Sequence, residues 1–263
     1  MKRLILFAGL AFAMLLANLL LYLCQPLGEN FYLIGDSLVA TLALMAVIAG
    51  FYAFRLHGFR STQGRALLFM TAGVFFWFLG ELTWGIYEVV LGVEKPVASV
   101  ADLFWFIGYP MFLLGLYYIY RLSSPVFSRR RLAILAAAMA LVFSLMIYLA
   151  LPTLADAAMS LEEKISTAGY LIGDAFLLAG LVFTVACLWG SRFAKPWSII
   201  FLSMAALTIA DIFYSSFFGV YETGNLMDVF WNTGYIFFAF GFMYYRETAK
   251  GIVFAAKGKK AKG

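Results

Sequence analysis

The sequence predicts an all-α fold: a polytopic transmembrane bundle of eight helices built from two parallel four-helix repeats. Three observations carry that prediction. Hydrophobic residues make up 64% of the 263 positions and charged residues only 13%, with a mean hydropathy of +0.92, far outside the range of soluble globular chains. The apolar residues fall in long unbroken runs, each near the ~20 positions needed to cross ~30 Å of hydrocarbon as a helix. The runs are also too long and too uniform for the short alternating strands of a membrane barrel. Finally, the chain repeats itself. Ala101-Asp102-Leu103-Phe104-Trp105-Phe106-Ile107-Gly108-Tyr109 returns as Met227-Asp228-Val229-Phe230-Trp231-Asn232-Thr233-Gly234-Tyr235, and Tyr32-Leu33-Ile34-Gly35-Asp36 returns identically as Tyr170-Leu171-Ile172-Gly173-Asp174.

The apolar runs span roughly residues 4–23, 31–54, 66–91, 99–120, 132–151, 168–190, 197–219 and 226–245. The first, preceded by Lys2-Arg3 and containing Ala11-Phe12-Ala13, has the outline of a cleavable signal. The duplication argues instead for a structural helix. The fifth run opens in the same way at Arg130-Arg131-Leu132 and ends at Leu151-Pro152, as the first ends near Gln25-Pro26. The expected units are therefore a first repeat over residues 1–122, a second over 123–247, and a basic cytoplasmic tail over 248–263. Four spans per repeat return the chain to its starting side, so the halves share one orientation, related by an approximate twofold along the membrane normal.

Gly108 and Gly115 in the fourth run, like Gly234 and Gly241 in the eighth, are seven residues apart and share a helix face. Small residues there permit close helix approach, the main source of association in lipid. Trp105 and Trp231 lie one turn before the first glycine of each pair, where belt residues at the membrane surface are expected.

The formal net charge of +5 resembles a nucleic-acid signal until the charges are placed on loops. In an eight-span arrangement every Lys and Arg except Lys95 and Lys164 falls on one side. The positive-inside rule makes that side cytoplasmic, with both termini on it, in a cell membrane. The expected surroundings are the lipid bilayer, with no nucleic acid as partner. All acids except Glu247 lie on the outer side or within a span. Cys24 and Cys187 sit at different depths and read as buried small hydrophobes rather than a disulfide. The single His57, in a basic loop, cannot contribute to a His/Cys metal cage. Neither a nucleophile with an adjacent base nor a phosphate loop is present, and no span carries the lysine that a retinal Schiff base requires. The expectation is a non-enzymatic protein without cofactor or metal.

Six acids recur in paired positions: Asp36 with Asp174, Glu81 with Asp211, and Asp102 with Asp228. Asp102 follows Ser99 by three residues and Asp228 follows Asn225 by three, each at the start of a span, which is capping spacing. Asp36 and Asp174 stand about one turn into their helices beside a glycine, where capping and binding are equally good explanations. Glu81 is ten residues from the outer end of its run, ~15 Å at the helical rise, and Asp211 is somewhat shallower. An ionisable group at such depth costs at least ~2.5 kcal/mol unless it faces a cavity or a partner. Two readings stay open: an ion or ligand site, or a protonated acid bonded to an aromatic partner such as Tyr109 or Tyr235. Trp77, Glu81, Trp84 and Glu88 share one helix face, as do Asp211, Tyr214 and Ser215. The candidate ligand- or ion-binding set is Glu81, Asp211, Asp36, Asp174, Asp102, Asp228, Trp84, Tyr109 and Tyr235.

The stretch Pro96-Val97-Ala98-Ser99-Val100-Ala101-Asp102-Leu103-Phe104-Trp105-Phe106-Ile107-Gly108-Tyr109-Pro110, preceded by Trp77, Glu81, Trp84 and Tyr87, resembles the multi-span N-terminal regions of bacterial diguanylate cyclases and sensor kinases. The resemblance covers about residues 70–121 and, more faintly, 200–246. It implies a membrane sensory role with Asp102 and Tyr109 in that family's pattern. Those proteins carry an output domain that these 263 residues lack, so a signal is expected to pass to a cytoplasmic signalling protein. The expected function is a sensor or ligand-binding membrane module with an outward-facing acidic, aromatic cavity between the repeats. The alternative is a secondary transporter or a cation or proton pathway using Glu81 and Asp211.

Overall fold

The computed structural model describes residues 2–93, 98–123, 127–216 and 221–260; side chains of Glu29 and residues 252–260 are not among those described. Pro96 and Val97 of the sensor-like stretch, residues 124–126 of the link between the expected repeats and the last three residues of the tail lie outside that set. The described residues form long α-helices and no strand: α1 (Lys2–Cys24), α2 (Tyr32–Phe54), α3 (Thr62–Gly85), α4 (Val100–Ser123), α5 (Arg129–Ala155), α6 (Leu161–Cys187), α7 (Ala194–Ser216) and α8 (Asp228–Lys260). Seven of them, α1 to α7, are long and apolar enough to cross a membrane, and the chain is a multi-pass integral membrane protein.

Helix ends follow local chemistry. Ser61, Ser128 and Ser160 cap α3, α5 and α6 by accepting a backbone N–H. Ser160 and Glu163 complete a reciprocal capping box. Two boundaries differ from the sequence expectation. Helix α5 does not stop at Leu151-Pro152 but continues to Ala155; Pro152 removes only its own N–H near the helix end, where the loss is easily tolerated. Helix α8 runs on through Lys260, so residues 248–260 of the expected tail continue the helix rather than leave it.

Six helices close a ring through the contacts α2·α3, α3·α4, α4·α6, α6·α7, α7·α8 and α8·α2. Helices α1 and α5 stand outside it, α1 against α8 and α5 mainly against α6. Their apolar windows are only 11% and 6% buried, so most of their side chains face the surroundings, which for apolar residues in this protein means lipid. Helix α1 is nevertheless tied in by polar groups. Asn18 donates to the Val229 carbonyl at 3.2 Å and accepts from Asn232 Nδ2 at 2.9 Å, while Tyr22 Oη accepts from the same amide at 3.2 Å. In hydrocarbon such amide bonds have no competing water and hold helices together.

The ring's core holds Leu67, Met70, Phe112, Trp197, Met204, Phe238 and Phe242, all essentially without exposure. Phe112 of α4 stacks on Phe238 of α8 with centroids 5.6 Å apart and planes at 11°, and Phe238 in turn stacks on Phe242. The glycine faces lie against neighbours. A Cβ on Gly115 would meet Met70 of α3 at 2.7 Å, and one on Gly241 would meet Ile200 of α7 at 2.8 Å. Gly108 and Gly234 meet Trp77 and Leu207 in the same way, closer than a side chain permits.

Overpacking at such a contact costs about 1–3 kcal/mol. Gly108→Leu and Gly234→Leu are therefore expected to lower the melting temperature in detergent by several degrees, and Val100→Leu, at a half-exposed position, by much less. Equal melting of all three variants contradicts the close approach.

Candidate functional site

Where the ring helices part at one end, they leave a cavity of about 760 Å³ of empty space including its mouth. The lining comes from the last turns of α1, α3 and α7, the first turns of α2, α4 and α8, the upper part of α6, and the loop before α8. This is the end remote from Arg55, Arg65, Arg121, Arg130 and Arg192, all of which lie on or beside the opposite helix termini. The stacked Phe112 and Phe238 lie one turn deeper along α4 and α8 than the lining residues Tyr109 and Tyr235.

Eight of the nine candidate residues line this space: Glu81, Asp211, Asp36, Asp102, Asp228, Trp84, Tyr109 and Tyr235. The ninth, Asp174, has no exposed surface and stands directly behind the wall, where Tyr109 Oη donates to its Oδ1 at 2.9 Å. Among the described residues that line it there is no lysine, arginine or histidine; Lys95 lies outside the described residues.

Each carboxyl is engaged by an aromatic donor or by a helix start. Tyr235 Oη donates to Glu81 Oε1 at 2.6 Å, from α8 to α3, and the Trp105 indole bonds to the same group. Trp231 Nε1 donates to Asp211 Oδ1 at 2.9 Å, and Asp174 lies against Asp211 on the other side. Asp102 takes the Ser99 N–H and hydroxyl on Oδ2 at 2.7 and 2.9 Å, while Tyr170 of α6 donates to Oδ1. Asp228 takes the Gly224 N–H at 2.8 Å and the Tyr221 hydroxyl at 2.7 Å. Capping and site membership are thus not alternatives for Asp102, whose Oδ2 closes the start of α4 while Oδ1 takes the Tyr170 hydroxyl; Asp228, expected to cap with Asn225, instead holds the Gly224 N–H of the preceding loop. Asp36 differs. It is 4% exposed, and its Oδ2 has no hydrogen-bond partner.

The backbone makes room for these contacts. Gly35 lies against Tyr22 Oη, and a Cβ on Gly173 would stand 2.6 Å from the Tyr109 ring, so the repeated Gly-Asp places a carboxyl one residue from a tyrosine's path. Gly224, at φ +94°, adopts a left-handed turn that side-chain-bearing residues avoid. That turn directs its N–H to Asp228 and its carbonyl to Gln25 Nε2 at 3.0 Å, joining the α7–α8 loop to the end of α1. Helix α3 ends in a π-helical turn, Ile86–Val90, which brings Glu88 to accept from Trp84 Nε1 at 2.6 Å; such turns recur at functional sites.

Two sequence expectations require correction. Cys24, read as a buried small hydrophobe, is exposed, because it ends α1, which stands outside the ring. Trp105 and Trp231, expected as belt residues at the membrane surface, line the cavity instead, and Trp231 bonds to Asp211. Their position one turn before the packed glycines turns them inward, so depth alone misassigns them. Several lining residues were not in the candidate set, among them Tyr22, Tyr170, Tyr214 and Tyr221. The identical Tyr32 and Tyr170 of the duplicated pentapeptide carried a signal for one of them, but only Tyr170 lines the cavity. Comparison of the chain with known protein families, with curated proteins and with solved structures gives no match.

The wall depends on tyrosine hydroxyls as donors. Tyr235→Phe leaves Glu81 one donor short in a desolvated site, a loss of about 1–3 kcal/mol. It is expected to destabilise the protein in detergent more than Tyr148→Phe, whose side chain is 70% exposed on α5. Equal melting of the two variants contradicts a structural role for the Tyr235–Glu81 bond.

Proposed function

We propose that the protein is a membrane sensor or ligand-binding module, without enzymatic activity, whose cavity opens on the non-cytoplasmic side between two four-helix repeats. The observation that carries this reading is the convergence of eight carboxyl and aromatic candidates, drawn from both halves of the sequence, on one cavity. Concave spaces lined by aromatic and apolar side chains with a few converging polar groups are the ordinary form of a small-molecule site.

The repeat reading is supported by matched contacts. Gly108 on Trp77 corresponds to Gly234 on Leu207, Gly115 on Met70 to Gly241 on Ile200, and Trp105 with Glu81 to Trp231 with Asp211. Phe112 and Phe238, equivalent under the same alignment, meet each other, as residues beside a twofold axis must. Helices α1 and α5 depart from the symmetry, since α1 packs on α8 and α5 on α6. The eight-span arrangement, with both termini in the cytoplasm of a cell carrying this protein in its cell membrane, follows from the basic loops. A cytoplasmic signalling protein is the partner that a sensory role requires.

Orientation is tested by cysteine labelling in a background where Cys24 and Cys187 are serine. A membrane-impermeant maleimide is expected to label Glu222→Cys, beside the cavity, on intact cells, and Arg192→Cys only after permeabilisation. The reverse pattern overturns the outward-facing reading.

The functional reading is tested by a thermal-shift panel of amines, amino acids, sugars, nucleosides and organic acids on the detergent-purified protein. A ligand at 100 times its Kd adds about 2.7 kcal/mol to stability, a shift easily seen, and Trp84→Leu is expected to abolish it. A panel with no response removes the ligand-binding reading. The transporter alternative is favoured by Glu81 and Asp211 facing one space at matched positions. It predicts accumulation of the bound compound in proteoliposomes, lost in Glu81→Gln and Asp211→Asn; a sensor binds without accumulation.

A further inference from the structure

We infer that the occupant of this cavity is an organic ammonium cation, a quaternary or protonated amine, recognised by aromatic rings and carboxyl groups together. This deepens the ligand-binding reading above and rests on it.

Charge comes first. Among the described residues, five carboxyl side chains line the space and no basic side chain does. An anionic ligand would add to that excess, and a neutral apolar one would bury the acids without compensation. The acids are unequally satisfied. Protein donors hold Glu81, Asp102, Asp211 and Asp228, whereas Asp36 lies against another acid, Glu88, and its Oδ2, on the cavity wall, has no hydrogen-bond partner. A ligand with positive charge or N–H donors supplies what that oxygen lacks.

The second argument is the wall itself. Four of the chain's six tryptophans, Trp77, Trp84, Trp105 and Trp231, line the cavity, and tryptophan has the strongest attraction for a cation over its face. At the mouth the planes of Trp84 and Tyr221 meet at 87° and those of Tyr221 and Trp231 at 89°. Rings set edge to face in this way present surfaces in more than one direction, as suits a roughly spherical polyatomic ion. A metal ion fits less well: among the described residues no three His, Cys, Asp or Glu side chains converge as coordination requires.

The full-length protein in detergent provides the test, read by tryptophan fluorescence and by melting temperature. The probes are choline, tetraethylammonium and spermidine. The controls are 3,3-dimethylbutan-1-ol, which places carbon where choline has its charged nitrogen, and sodium chloride at equal ionic strength. At least one cation is expected to give a saturable fluorescence change and a rise in melting temperature that neither control reproduces. Trp231→Leu should weaken that binding at least tenfold. The near-isosteric Glu81→Gln, which keeps a partner for Tyr235, should weaken it without loss of fold, and Val100→Leu should leave it unchanged. If the neutral alcohol binds as tightly as choline, or if neutral compounds of the wider panel bind and no ammonium ion does, the cation inference is wrong while the ligand-binding reading stands. If nothing in either set binds, both fall.

Discussion

The bond from a tyrosine or tryptophan to a buried carboxyl is the constraint on which this molecule depends. A bundle this apolar has little means of solvating an acid, so each one must find a donor within the protein or face a wet cavity. Tyr109, Tyr170, Tyr221 and Tyr235 provide hydroxyls, and Trp84 and Trp231 provide indole N–H groups, each to a different acid. Three of these bonds, Tyr109 to Asp174, Tyr170 to Asp102 and Tyr235 to Glu81, connect α4 with α6 and α8 with α3. The same contacts that satisfy the acids therefore draw the two halves of the sequence around a common space.

Much of this was legible beforehand, for identifiable reasons. Hydropathy locates the helices because lipid imposes one requirement on every span, and the paired acids stand out because, apart from Glu88, nothing else in the expected spans is charged. Glu81 and Asp211 could be selected by depth alone. The tyrosines could not: a tyrosine in an apolar run is compatible with core, belt or site, and only its packing decides. Trp105 and Trp231 were misassigned because distance from the membrane surface says nothing about which side of the helix faces inward. Asn18 and Asn232, whose amides meet across 214 residues of sequence, belong to no local pattern. The continuation of α8 beyond the span had no breaker to announce it and none to prevent it.

Helices α1 and α5, which open alike in sequence, are put to different uses. Each begins with basic residues and each is mostly exposed, yet α1 carries Asn18 and Tyr22 to α8 and the cavity, while α5 rests on α6 and sends no side chain to the lining. The ring of six helices is complete without α5, and the cavity wall is not complete without Tyr22.

The Phe112–Phe238 stack has a mechanical consequence. Two aromatic rings from opposite halves of the sequence stack in flat contact one turn beyond Tyr109 and Tyr235. Helices α4 and α8 cannot shift relative to one another without sliding or parting those rings, so the stack registers any movement of the two helices that also carry Tyr109 and Tyr235 into the cavity wall.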